Sequence, residues 1–220
     1  MDRRTMYSSA ADRPAIEINK VLRNTYMLLA LTVAFSAVTA TITTFLQIGI
    51  IGYFVMLIGG LISLFIVNKK ADSAAGLFWV FAFTGLLGGA LGPILNIYLN
   101  AGAGHIVMQA LAATAVVFFA LSGYALVTKK DFSFLGGFLM VGLVVAIVGM
   151  LANIFLQIPA MSMAISALVV FIMSGLILFD TSRIVNGGET NYIRATTSLY
   201  LNIWQMFVHM LALLGMGGDD

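Results

Sequence analysis

The stretch IGIIGYFVMLIGGLISLFIVNKK, residues 48–70, decides the class of fold, because it runs uncharged and largely apolar from Ile48 to Val67 and then ends on Lys69 and Lys70. A helix that crosses a bilayer needs about 20 consecutive, largely apolar residues. Basic residues directly behind such a run are typical of its cytoplasmic end, because they resist translocation. The stretch therefore predicts a transmembrane helix and the side of the membrane on which it ends.

Other stretches of the chain have the same length and apolar character. The chain is 61% hydrophobic and 9% charged, with a mean hydropathy of +1.04, whereas about 25% of the residues of a soluble domain are charged. The bilayer is the solvent that fits this composition. The predicted fold is an all-α integral membrane protein with seven transmembrane helices, at Tyr26–Leu46, Ile48–Val67, Ala74–Leu99, Ile106–Val127, Phe134–Leu156, Met161–Phe179 and Ala195–Met216. Within the third helix, Pro93 should cause a kink or an early end.

All 11 Lys and Arg residues fall on one side of this arrangement. They precede the first helix or lie at the connections that follow the second, fourth and sixth helices. A path that alternates from a cytoplasmic N-terminus to a periplasmic C-terminus places every one of them on the cytoplasmic side. One missed or extra helix would scatter them, so the pattern supports the count of seven. Because membrane topology explains these cations, the net charge of +2 does not indicate that the protein binds nucleic acid.

Residues 1–22 form a mostly polar segment ahead of a transmembrane domain at residues 23–220. The segment contains Pro14 and cannot bury a core of its own, so we expect a mobile cytoplasmic tail. Its cations can serve simply as a topology signal. Alternatively, the tail can be a handle for a cytoplasmic partner.

A single carboxylate stands at the predicted end of the sixth helix. Asp180 there opposes the helix macrodipole, and an ionisable group near hydrocarbon is costly. One interpretation is an interfacial ion pair with Arg183, three residues further on. The other is a titratable gate or cation ligand at the cytoplasmic mouth of the bundle.

The seventh helix carries a polar stripe. Ser198, Asn202, Gln205 and His209 are spaced by four, three and four residues, which puts them on one face of a helix. Polar side chains avoid lipid, so this face should point into the bundle. The stripe either holds neighbouring helices together by hydrogen bonds or lines a polar path.

The third helix contains two overlapping pairs of small residues, Gly85 with Gly89 and Gly88 with Gly92. A small residue at every fourth position lets two membrane helices approach closely. We interpret these glycines as helix-packing positions.

Motifs of the common enzyme classes are missing from the sequence. There is no cysteine, no HExxH, no GxSxG and no GxxxxGK, which are the signatures of thiol, zinc, esterase and phosphate-binding chemistry. The spanning helices also hold no pair of carboxylates. We therefore predict no catalytic residues, no metal and no cofactor, and a protein that is not an enzyme.

Four stretches of the chain resemble the Bax inhibitor-1 family. The most specific is FDTSRIVNGGETNYIRATTSLYLNIWQMFVHMLALL, residues 179–214, which is similar to the sixth-to-seventh helix region of that family. The others are KVLRNTYMLLALTVAFSAVTA (20–40), GGALGPILNIYL (88–99) and KKDFSFLGGFLM (129–140). Together they look like a bacterial, YccA-like branch over nearly the whole chain. The resemblance implies a bundle in which the seventh helix is central and surrounded by the other six.

The resemblance implies two possible activities, and the first is a calcium leak. Members with that activity use two aspartates that share a proton and gate a pore with pH. These positions map onto Asp180 and onto Asn202, which is an asparagine here, in LYLNIW. Without a second carboxylate the like-charge coupling is absent, so this pair cannot sense pH in the family manner. A pH-influenced calcium or cation leak, with Asp180 at its mouth, is therefore the alternative prediction.

The second activity is regulation of proteolysis, and it is our main prediction. Members of the YccA-like branch are associated with FtsH, a membrane-anchored, ATP-dependent protease, as slowly degraded substrates that restrain it. The protease engages the N-terminal tail, which begins here with Met1, Asp2, Arg3 and Arg4. The resemblance thus predicts a multi-pass protein of the bacterial inner membrane that binds and restrains FtsH.

Overall fold

The computed structural model describes the backbone of residues 3–217 and the side chains of residues 17–217. Within that range the chain consists of seven helices without strands: α1 (Arg3–Phe45), α2 (Ile50–Lys70), α3 (Ala75–Asn100), α4 (Gly104–Thr128), α5 (Leu135–Leu156), α6 (Pro159–Val185) and α7 (Tyr192–Met216). All seven contain a segment long and apolar enough to cross a membrane. The prediction of an all-α, seven-helix membrane protein is confirmed.

Local chemistry sets several of the helix ends. Asn191 caps α7, because its side-chain oxygen accepts hydrogen bonds from the backbone N–H groups of Ile193 and Arg194 at 2.9 and 3.1 Å, as N-cap residues do. Helices α4 and α5 each end on a left-handed residue, Lys129 and Gln157, at φ 51° and 52°. A left-handed residue turns the chain out of the helix while its N–H still bonds a carbonyl of the last turn.

Helix α7 occupies the centre of the bundle. It packs against α1, α2, α3, α4 and α6, and Leu199, Met206 and Leu211 on it are fully buried. The expectation that all six other helices surround it is wrong for α5, which packs on α6 and whose described backbone does not reach α7. The reason is that α5 is apolar apart from Asn153 near its end, with only Leu139 and Ala146 buried, so most of its surface is suited to lipid.

The connections that carry cations meet at one end of the bundle. Asp72 in the α2–α3 connection forms an ion pair with Arg194 in the first turn of α7, with 2.5 Å between the charged atoms. The α4–α5 connection is joined to the end of α6, where the Ser182 hydroxyl donates to the Lys130 carbonyl at 3.0 Å. Ile18 lies beside the α6–α7 connection, so the first span begins at the same end. Which face of the membrane this cationic end occupies stays a prediction.

The N-terminal segment is continuous with the first span. Helix α1 begins at Arg3, so the described backbone runs unbroken from this segment into the membrane helix. Val21 packs against the core. The domain boundary at residue 23 stays a prediction. The mobility of the segment stays a prediction. Met1 and Asp2 lie outside the described residues, as does the side chain of Arg4.

Helices α1 and α3 are in direct backbone contact at two glycines. A Cβ on Gly88 would lie 2.5 Å from the Ser36 carbonyl oxygen, and one on Gly92 would lie 2.8 Å from the Thr43 carbonyl carbon. Real Cβ atoms essentially never approach so closely. Only glycine therefore permits this helix contact.

The remaining glycines of the two pairs meet side chains. Gly85 lies against Phe35 of α1, and Gly89 lies against Met56 of α2. Helix α3 is therefore held between α1 and α2 along its glycine positions.

Replacing Gly92 with alanine should lower the free energy of unfolding by about 1–3 kcal/mol, the usual cost of overpacking. Gly123 of α4 is the matched control, because a Cβ there meets nothing within 4 Å, and Gly123→Ala should be neutral or slightly stabilising. Unfolding midpoints of both variants in detergent measure the difference. Equal midpoints would contradict the close α1–α3 contact.

Pro93 does not end α3, which continues to Asn100. Proline has no N–H, so the carbonyl of Gly89, four residues earlier, loses its helical partner. The Thr43 hydroxyl of α1 lies 2.8 Å from that oxygen. It also lies 3.0 Å from two carbonyls of its own helix, but those belong to an unbroken stretch of helix. Helix α1 thus supplies the donor that proline removes, as neighbouring helices do at membrane prolines.

Candidate functional site

The predicted carboxylate lies between the last two helices. Helix α6 continues to Val185, so Asp180 lies inside the helix and not at its end, as the sequence suggested. Its side chain is buried at 8% exposure. One oxygen, Oδ2, accepts a hydrogen bond from the Ser198 hydroxyl at 2.5 Å and another from the Asn202 amide at 2.8 Å. Two members of the polar stripe of α7 thus bind this single carboxylate oxygen.

Arg183 does not pair with Asp180. Its guanidinium lies 3.6 Å from the Glu189 carboxylate and 5.6 Å from the centre of the Phe179 ring. The Arg183 side chain is 40% exposed, and an ion pair near solvent avoids the desolvation that a buried pair requires. The predicted ion pair between Asp180 and Arg183 is therefore not formed. The Asp180 carboxylate is bound instead by the uncharged donors Ser198 and Asn202.

The two residues that follow Asp180 form hydrogen bonds with α4 and with the α4–α5 connection. Thr181 shares a hydrogen bond with Ser122 of α4 at 3.3 Å, and Ser122 in turn bonds the Tyr26 hydroxyl of α1. Ser182 accepts a hydrogen bond from the backbone N–H of Phe132 in the α4–α5 connection at 3.0 Å. These hydrogen bonds were not predicted from the sequence, although the run of polar residues after Phe179 indicates polar contacts there.

The rest of the polar stripe lies towards the other end of α7. His209 shares a hydrogen bond with Ser166 of α6 at 3.2 Å. Gln205 is half-buried and is not a partner of the carboxylate. Of the predicted gate and ion-path residues Asp180, Asn202, Arg183, Gln205 and His209, the structure joins Asp180 and Asn202 by a hydrogen bond. Their role in an ion path stays a prediction.

A second polar face of α7 ties it to α1 and α3. The Tyr200 hydroxyl lies 2.6 Å from the Ser36 hydroxyl and 3.1 Å from the Thr84 carbonyl oxygen. Farther along α7, the indole N–H of Trp204 donates to the Leu87 carbonyl at 2.9 Å. These bonds were not predicted from the sequence, because Trp and Tyr in membrane helices are also typical of the membrane–water interfaces.

The chemistry available at Asp180 is limited. Within the described part of the chain, no group of three or more His, Asp or Glu residues is placed to hold a metal ion. The Asp180 site links α6 to α7 through one carboxylate oxygen.

Outside the spans, the backbone N–H of Ser133 bonds the exposed Asp131 carboxylate at 2.8 Å and lowers the pKa of that carboxyl.

Seven apolar helices, with a central last helix that holds one buried carboxylate of the preceding helix, define a multi-pass membrane protein. The chain belongs to the Bax1-I family, described as "Inhibitor of apoptosis-promoting Bax1", whose family model matches residues 18–219. The resemblance seen in the sequence is confirmed.

Relatives of similar length occur in several bacteria. The chain is 53% identical over 221 residues to "Modulator of FtsH protease YccA" of Escherichia coli K12, with 100% of both chains covered. It is 50% identical over 207 residues to an "Uncharacterized membrane protein" of Vibrio cholerae, and 93% of each chain is covered. It is also 47% identical over 206 residues to a protein of Pseudomonas aeruginosa, again with 93% of each chain covered. These similarities confirm the YccA-like branch.

Proposed function

We propose that this chain is an inner-membrane regulatory protein that binds and restrains the ATP-dependent membrane protease FtsH. The observation that carries the proposal is the 53% identity, over the full length of both chains, to an E. coli protein named as a modulator of that protease. A relative with the same identity is named as an inner membrane protein. The role is one of binding and slow degradation, and it requires no catalytic group of this chain.

Helix α1 explains how such a protein restrains the protease. A protease that pulls on the N-terminal tail must extract α1 first. This helix is tied to α4 through Tyr26, to α7 through Ser36 and to α3 through Thr43. A hydrogen bond between membrane helices contributes only about 0.6 kcal/mol on average. Resistance to extraction therefore comes from several such bonds together with the glycine contact between α1 and α3.

Deletion of residues 2–16 tests the role of the tail. We expect the shortened chain still to co-purify with FtsH, because the helices make the contact, and to be degraded far more slowly than the full chain. Ile18 and Val21, which pack against the bundle, remain in place. A chain with an unrelated polar segment of equal length is the control that separates tail length from tail sequence. Unchanged co-purification together with unchanged degradation would contradict the proposed mechanism.

A second candidate function is a pH-influenced calcium or cation leak. The observation in its favour is Asp180, a carboxylate buried inside the bundle at 8% exposure. Its hydrogen-bond partners are the neutral Asn202 and Ser198, so we expect little flux through the natural chain.

Replacing Asn202 with aspartate should give the chain a pH-dependent calcium flux. The new carboxylate would lie within hydrogen-bond distance of Asp180, since the Asn202 amide is 2.8 Å from it. Two carboxylates so close cannot both be ionised, and they share one proton. Calcium entry into proteoliposomes from roughly pH 6 to 8 measures the effect, and Asn202→Ala is the control. A robust flux in the natural chain that Asp180→Asn abolishes would favour the leak over the protease role.

A further inference from the structure

A cavity of about 280 Å³ lies between α5, α6 and α7, at the end of the bundle opposite the cationic connections. Asn153 and Ser162, which line it, lie one helical turn from the end of α5 and from the start of α6. The cavity therefore opens beside the α5–α6 turn. The proposed function does not use it.

One wall of the cavity is polar and carries no permanent charge. The Asn153 amide donates to the Ser162 hydroxyl at 2.7 Å, and a ring nitrogen of His209 lies 3.2 Å from the Ser166 hydroxyl. Ser166 is only 5% exposed, so it is a built part of the bundle. A histidine has two ring nitrogens and a serine hydroxyl both donates and accepts, so this wall retains hydrogen-bonding capacity beyond its internal bonds.

The rest of the lining is apolar. It consists of Met150, Ile154 and Ile165, and Ile154 is 64% exposed. The cavity thus presents both polar and apolar groups to the same occupant. An amphiphile matches both kinds of group.

Size and depth narrow the choice of occupant. A water molecule takes up about 30 Å³ of liquid volume, so a single water does not fill the cavity. The volume of the cavity is slightly below the roughly 300–1,000 Å³ of pockets that enclose a whole small molecule. Ser166 is seven residues inside α6, which at 1.5 Å per residue is roughly 10 Å from the end of the helix. At that depth a bilayer passes from its polar interface to hydrocarbon. The cavity therefore fits the part of a molecule that lies at this boundary.

We propose that the cavity binds the glycerol ester region of a membrane lipid, with the ester carbonyls towards Ser162, Ser166 and His209 and the first methylenes of one acyl chain against Met150 and Ile154. Ester carbonyls are uncharged acceptors and match the neutral donors of the polar wall. A phosphate group would instead call for Arg or Lys, and neither lines the cavity. The lipid headgroup consequently extends past the α5–α6 turn towards water.

The test uses the full chain in nanodiscs that contain phosphatidylglycerol with a photoreactive diazirine close to the ester. After illumination, peptide mass spectrometry maps the labelled residues. We expect labelling at Met150 and Ile154 that unlabelled diester phosphatidylglycerol suppresses and that the diether analogue, which lacks the carbonyls, suppresses much less. This competition needs no substitution, so it does not depend on whether a variant folds.

Ser162→Leu, which fills the cavity, should reduce the labelling of Met150 to the level of Phe65, a residue of α2 that is 70% exposed to the surroundings. Ser174→Leu is the matched control, because Ser174 is on the same helix and lies outside the cavity; it should leave the labelling unchanged. Labelling of Met150 no stronger than that of Phe65 in the natural chain, or equal competition by diester and diether lipid, would overturn the proposal.

Discussion

Replacing Asp180 with alanine should lower the free energy of unfolding by roughly 2–4 kcal/mol. The substitution leaves the Ser198 hydroxyl and the Asn202 amide without the acceptor that they share, and each unsatisfied buried donor costs about 1–3 kcal/mol. The alanine variant no longer has to desolvate a buried carboxylate, and this gain offsets part of the loss. Denaturant unfolding in detergent, followed by the fluorescence of the buried Trp204, measures the difference.

Two further substitutions serve as controls for this prediction. Asp180→Asn keeps an oxygen acceptor of the same size, and should therefore cost less than Asp180→Ala. Asp72→Ala removes a carboxylate that is 73% exposed in its ion pair with Arg194, and exposed pairs are worth about 0–1 kcal/mol. If Asp180→Ala cost no more than Asp72→Ala, the buried carboxylate would not be holding α6 to α7.

Replacing Thr43 with valine should make the chain a faster substrate of FtsH, by about tenfold. Valine has the shape of threonine but no hydroxyl, so the Gly89 carbonyl loses the donor that lies 2.8 Å away and that Pro93 cannot replace. Because the Gly89 carbonyl would be left without a donor, the cost should lie nearer the upper limit for inter-helix hydrogen bonds in membranes, about 1.7 kcal/mol, than their average. A cost of about 1.4 kcal/mol corresponds to a tenfold change. The rate of loss of the chain, after its synthesis is stopped in cells that contain FtsH, measures the effect.

Thr43→Ser is the matched control, because it keeps the hydroxyl. Its rate of degradation should stay close to that of the natural chain. A second control is a strain without FtsH, in which Thr43→Val should be as long-lived as the natural chain. Equal lifetimes of the valine and serine variants in the presence of FtsH would show that this tie does not limit extraction of α1.

The architecture could be predicted from the sequence because the physics that sets it is local. Runs of apolar residues indicate where the chain crosses the bilayer. The positions of the cations indicate on which side of the membrane each crossing ends. The structure accordingly has seven spans with the predicted order. The helix ends were less predictable. Helix α6 extends through Thr181 and Ser182, whose hydroxyls bond Ser122 of α4 and the Lys130 carbonyl of the α4–α5 connection, and these bonds make polar residues acceptable inside the bundle. Helix α3 continues past Pro93 for a similar reason, because the Thr43 hydroxyl of α1 donates to the Gly89 carbonyl.

The candidate site was predicted only in part. Spacing places Ser198 and Asn202 on one face of α7, and the resemblance pairs Asn202 with Asp180, as the structure does. Spacing also suggested Arg183 as a partner of Asp180, but a helical spacing does not say which way a long side chain turns, and Arg183 reaches Glu189. Contacts between helices far apart in sequence depend on the packed bundle, and no local pattern reports them.

The proposed restraint of FtsH is tested by the rate at which FtsH degrades a second membrane substrate in proteoliposomes, with and without this chain. Adding the natural chain should slow that degradation while the chain itself disappears slowly. An unchanged rate for the second substrate, with both proteins verified in the same vesicles, would show that this chain does not restrain the protease.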